Sequence, residues 1–98
     1  RDVILAVSGD LKKKYLDRRI SANLDEIIQN RVVVSSLDFT EISLSSSLEE
    51  TASYVIAPII SNGDAIGAVI ILSTSNKIDE FIVKTGAIAA KFLGKYIE

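Results

Sequence analysis

Two apolar runs meet at Asn62-Gly63 in the stretch Ser53 to Ser73, SYVIAPIISNGDAIGAVIILS, and this arrangement constrains the fold more than any other part of the chain. Asn-Gly supplies the two positive-φ positions of a tight hairpin turn, so the runs should fold back on each other as a long antiparallel pair. Counting outward from the turn pairs Ser61 with Asp64, Ile59 with Ile66 and Ala57 with Ala68, and sets Pro58 opposite Gly67 at a position without ladder bonds. Proline has no N–H to offer the other edge, so pairing with the strand outside it is predicted to break off at Pro58. Gly67 suits a bulge or the close approach of another element. On the returning strand, Ile66, Ala68, Ile70 and Leu72 share one face, while Val69 and Ile71 share the other. A strand apolar on both faces belongs in the middle of a sheet covered on both sides.

The segments before the hairpin supply the rest of that sheet. Val3 to Val7, VILAV, is a β-branched run closed by Ser8-Gly9-Asp10 and reads as a strand. It begins so close to Arg1-Asp2 that we expect a preceding segment to be missing or disordered. Leu11 to Arg19 holds five of the eleven basic residues. That run is either an anion patch or, the reading we prefer, a solvated helical turn with Leu11, Tyr15 and Leu16 inward. Its Lys13, Lys14 and Arg19 are the chain's candidate ligand-binding residues. Ser21 is a fitting N-cap for a helix of about ten residues over ANLDEIIQNR, with Leu24, Ile27 and Ile28 on its apolar face. Val32 to Leu37 reads as a strand, Asp38-Phe39-Thr40 as a turn, and Glu41 to Leu44 as a second short strand. The cluster Ser45-Ser46-Ser47 with Glu49-Glu50 reads as a mobile surface loop.

After Ser73 to Asn76 a helix is predicted from about Lys77 to Glu98. Glu80, Lys84, Lys91, Lys95 and Glu98 fall in a stripe only about 60° wide, which leaves the rest of the circumference apolar or small. A bulky face, Ile78, Phe81, Ile82, Ile88, Ala89, Phe92 and Tyr96, suits packing on the sheet. A neighbouring face, Val83, Gly86, Ala90, Leu93, Gly94 and Ile97, lets another helix come close, either a missing N-terminal helix or the same helix of another subunit, and it is the expected oligomer interface. Gly86 and Gly94 each cost about 1 kcal/mol against alanine in a helix, and a packing gain should offset them. The competing reading is a core helix with incidental glycines.

Composition narrows the chemistry. The 98 residues make one small domain, and 48% apolar content is high for a chain whose surface should be largely polar, so some apolar surface should meet a partner. There is no histidine and no cysteine. This removes the usual ligands for transition metals and the usual nucleophile and base pairs, so neither a metal site nor a cofactor nor a catalytic residue is expected. No phosphate-loop, dinucleotide or nucleophile-elbow motif occurs; an enzyme would need an unforeseen pocket joining Lys13 or Lys14 to carboxylates. A net charge of −2 argues against nucleic-acid binding by this chain itself. No run is long enough for a membrane span and no signal-peptide pattern opens the chain, so the expected location is cytoplasmic.

The order strand, basic turn, helix, strands, long hairpin, terminal helix resembles the GAF/PAS-like sensor architecture. Asp2 to Ser21 (DVILAVSGDLKKKYLDRRIS), Ser53 to Ser73 and Gly86 to Tyr96 (GAIAAKFLGKY) together resemble the C-terminal GAF domains of the stage V sporulation protein T type, which belong to AbrB-like transcription regulators of spore-forming bacteria. The resemblance implies a single α/β (α+β) domain over residues 1–98, an antiparallel sheet with flanking helices, of which the opening helix and first strand usual in such GAF domains are expected to be absent here. It further implies a non-enzymatic regulatory role in sporulation, as activator or repressor, with DNA held by a separate N-terminal domain. Self-assembly into a homodimer or tetramer through the terminal helix and a small-molecule effector are the partners it suggests. The rival reading is a roadblock/longin-like dimerisation module, which shares the element order but would pair through a sheet edge or central helices.

Overall fold

The computed structural model describes residues 4–8, 20–45 and 48–98. The elements are β1 (Ile4–Ser8), α1 (Ala22–Gln29), β2 (Val34–Ser45), β3 (Leu48–Ser61), β4 (Asp64–Ser73) and α2 (Glu80–Ile97). They form one four-stranded sheet in the order β1-β4-β3-β2, with α1 on one face and α2 on the other, an α+β arrangement. β2, β3 and β4 run antiparallel as expected, whereas β1 runs parallel to β4, from Ile4 beside Gly67 to Ser8 beside Ile71. No hairpin turn dictates the direction of β1, because α1, β2 and β3 all intervene before its neighbour. A parallel pairing needs such a long crossover.

The hairpin at the centre forms on its turn residues. Asn62 takes φ 51° and Gly63 φ 82°, and Ser61 pairs with Asp64. Beyond the turn the register departs from the simple count. An irregularity at Ile59/Ile60 pairs Ile60 with Ala65 and Ile59 with Gly67, which leaves Ile66 as the extra residue and moves Pro58 opposite Ala68. Ile66 thereby changes sides. It packs with Ala57, Ile59, Val69 and Ile71 beneath α2, while Ala65, Ala68, Ile70 and Leu72 face α1. The break expected at Pro58 is present: the β2–β3 ladder starts at Val34 opposite Ile56, so β3 from Ala57 to the turn has no β2 partner.

Around the hairpin, two buried serines fasten the connections. Ser21 caps α1, its Oγ accepting from the Leu24 N–H at 2.9 Å and donating to the Ser43 carbonyl at 2.7 Å. Leu24 and Ile28 then lie buried against Ile42, Leu44, Ala52 and Ile56. Ser53, fully buried, donates to the Ser36 carbonyl at 3.0 Å and accepts from the Ile78 N–H at 2.9 Å, which ties β2 and the segment before α2 to β3. With Ile78 held there, α2 starts later than Lys77, at Glu80, where Asp79 Oδ1 accepts from the Ile82 N–H as N-cap.

Asp38-Phe39-Thr40 and Glu49-Glu50, expected in a turn and in a loop, are in strands. Asp38-Phe39-Thr40 is an irregularity inside one continuous β2, between the paired residues Ser36 and Thr40. Glu49 and Glu50 belong to β3 opposite Ser43 and Ile42, and Ser45 ends β2 opposite Leu48, while Ser46 and Ser47 of the expected loop lie outside the described residues. Pairing with β3 overrides the weak local preference of serine and glutamate for strands.

Candidate functional site

Helix α2 presents its two apolar faces in the opposite sense to the periodicity reading. Gly86, Ala90 and Gly94, assigned to an oligomer interface, are buried against the sheet of their own chain. A Cβ on Gly86 would stand 3.1 Å from Val55 Cγ1, and one on Gly94 would collide with the Ile60 carbonyl oxygen. Val83 and Leu93 are half-buried beside them, and Ile97 at the end of the row is exposed. The reason is size matching. β3 and β4 already fill this side with Val55, Ile59, Val69 and Ile71, so only a small-residue helix face can sit close enough to cover them.

The large side chains are therefore in water. Phe81 is 74% exposed, Ile88 68%, Phe92 66% and Tyr96 79%, with the Phe92 and Tyr96 rings stacked at 6.3 Å. Together they hold on the order of 600 Å² of apolar surface in water, at the upper end for an ordinary monomer. Phe81, Thr85, Ile88, Phe92 and Lys95 follow one another in steps of four and three, the spacing of a coiled-coil seam. The Thr85 hydroxyl is already spent on the Phe81 carbonyl at 2.8 Å, which leaves its methyl for the seam. The signal that could have located this surface was the sequence itself: four of the helix's largest apolar residues, Phe81, Ile88, Phe92 and Tyr96, share one face, while Gly86, Ala90 and Gly94 lie together on another.

A cavity of about 410 Å³ lies along the flank of α2. Its floor is Ala57, Pro58 and Ile60, the part of β3 that β2 leaves uncovered, and Val33 closes the β2 side. Ala87, Ile88, Ala90, Lys91 and Lys95 form the helix wall, and Arg31 and Glu98 stand at the turn. Arg31 follows the C-cap Asn30 in a left-handed conformation, φ 61°, which throws its side chain across to the hairpin. Its Nε and Nη2 donate to the Gly63 carbonyl at 3.3 and 3.2 Å and its Nη1 to the Gln29 carbonyl at 2.9 Å. Glu98 is anchored on the same turn, its Oε2 accepting from the Asn62 N–H at 3.2 Å.

The expected ligand residues, Lys13, Lys14 and Arg19, lie outside the described residues. Sequence reasoning did not reach Arg31, Lys91 or Lys95; the traces they leave are the strand break at Pro58 and two lysines one turn apart. Among the described residues no group of carboxylates is arranged to hold a metal ion, and no helix is long and apolar enough to cross a membrane.

Comparison with known proteins places this architecture. The family model described as stage V sporulation protein T C-terminal, transcription factor, matches residues 1–98. Stage V sporulation protein T of Bacillus subtilis (strain 168) is 39% identical over 99 residues, which cover all of this chain and 56% of the relative. The chain thus spans about half the length of the curated relative it matches. This takes the place of the roadblock/longin alternative, and the family is one of transcription-factor domains rather than enzymes. A sheet sandwiched between a capped short helix and a long terminal helix, in a chain matched from end to end, belongs to the stage V sporulation protein T C-terminal domain family.

Proposed function

We propose that this chain is the GAF-like regulatory domain of a cytoplasmic sporulation transcription regulator, and that it works by self-association through the outer face of α2. The observation that carries the reading is the seam of Phe81, Ile88 and Phe92, each at least 66% exposed on a helix whose opposite face is already buried. With Tyr96 beside the seam, the exposed apolar surface of roughly 600 Å² approaches the ~800 Å² that one partner contributes to a stable interface. A second copy of the same helix is the natural cover, since the four-and-three spacing is self-complementary. The four-stranded sheet with a helix on each face and the long hairpin inside it supports the GAF-like part of the proposal. DNA contact is left to another part of the regulator, in keeping with the acidic balance of this chain. Assembly into a dimer or tetramer would then set the geometry of the DNA-binding parts and so activate or repress.

Sedimentation of Phe92→Glu against the parent protein tests this. The side chain is exposed in the monomer, so the fold should survive while a buried, unpaired charge dissociates the assembly. Undiminished assembly of a folded Phe92→Glu protein would place the interface elsewhere.

A further inference from the structure

We propose that the cavity between α2 and the uncovered end of β3 binds an amphipathic organic anion, a carboxylate carried on a small apolar body. The charge distribution points there. Residues 20–98 are acidic overall and contain only five cationic side chains, yet three of them, Arg31, Lys91 and Lys95, surround this one cavity against a single carboxylate, Glu98. That carboxylate is committed to the Asn62 N–H. Among the described residues neither lysine has a carboxylate within ion-pair reach, and the two stand one helical turn apart, where like charges repel. Arg31 offers its bound N–H groups only to neutral carbonyls and keeps two more, since a guanidinium carries five. An anion at the rim would relieve the repulsion and take the remaining donors.

The interior asks for the other half of the ligand. Ala57, Pro58, Ile60, Val33 and Ala87 give it an apolar lining, and about 410 Å³ is within the usual range for small-molecule sites. The floor is sound as a binding surface because Pro58 removes one backbone donor that an apolar ligand would otherwise leave unpaired. The sheet face opposite, under α1, is filled by Leu24 and Ile28 packed on Ile42, Leu44, Ala52 and Ile56. Ile88 and Lys95 belong to both the cavity wall and the seam on α2, so occupancy would be felt by assembly. That coupling rests on the self-association reading; the binding itself does not.

Titration calorimetry with octanoate and phenylacetate, on the parent and on a Lys91→Gln/Lys95→Gln variant, decides the matter. We expect saturable binding of at least one carboxylate, weakened about tenfold or more in the variant and weaker again at high salt. Glutamine suits an exposed helix, so the variant should stay folded, which circular dichroism verifies. Octan-1-ol and inorganic phosphate serve as the apolar and anionic halves alone. Absence of saturable carboxylate binding, binding unchanged in the double variant, or equal affinity for either half overturns the proposal. Repeating the titration on Phe92→Glu separates the two readings: lost binding in a protein that still dissociates as expected condemns the cavity's dependence on the chain alone, whereas retained binding with unchanged assembly condemns the seam.

Discussion

Replacing Gly94 by alanine probes the closest contact between α2 and the sheet. The added Cβ would run into the Ile60 carbonyl oxygen and lie 3.1 Å from the carbonyl carbon and 3.5 Å from the Ile60 nitrogen. All three are backbone atoms of a strand hydrogen-bonded into the sheet, so no rotamer change can make room. The end of α2 has to lift, partly uncovering Ala90 and Leu93 and stretching the Glu98 contact to the hairpin turn. Overpacking of this kind costs about 1–3 kcal/mol, and the better helix propensity of alanine returns roughly 1, for a net loss of about 0–2 kcal/mol.

Gly86→Ala on the same helix supplies the control. Its Cβ would meet side-chain methyls, Val55 Cγ1 at 3.1 Å and Ile71 Cδ1 at 3.6 Å, which can shift by a few tenths of an ångström. The propensity gain is common to both substitutions, so the difference between them isolates the cost of backbone contact. Thermal unfolding at matched protein concentration should place Gly94→Ala roughly 4–24 °C below Gly86→Ala, from the about 1–3 kcal/mol of overpacking and the 4–8 °C per kcal/mol expected for a domain of this size. Equal melting temperatures, or a more stable Gly94→Ala, would refute the claim that the small-residue face is the one pressed on the sheet.

Other contacts give further measurable outcomes. Ser53→Ala removes the hydroxyl that serves both the Ser36 carbonyl and the Ile78 N–H and should cost about 1–3 kcal/mol in urea denaturation, with faster amide exchange at Ile78. Ser21→Ala strips the cap from α1 and one bond to β2, a loss of about 1–2 kcal/mol by the same measurement. Gly63→Ala places a side chain at φ 82° in the open turn, so it should lower stability by about 1 kcal/mol through backbone strain alone, since nothing lies near the new methyl.

Local chemistry decided a good part of this molecule. The Asn62-Gly63 turn, the Ser21 cap and the end of β2 pairing short of Pro58 each follow from the conformational or hydrogen-bonding capacity of one or two residues. Such features are legible because they do not depend on what lies across the core. The orientation of α2 is of another kind. Helical periodicity shows which residues share a face, but two apolar faces were available, and hydrophobicity ranks the bulky one first for burial. The sheet chose otherwise because its own side chains are large, and only Gly86, Ala90 and Gly94 let the helix settle onto them. The extra residue Ile66, the parallel course of β1 and the gathering of Arg31 with Lys91 and Lys95 belong to the same class. Each depends on the fit between segments far apart in the chain, and that fit exists only once the sheet and helix have come together.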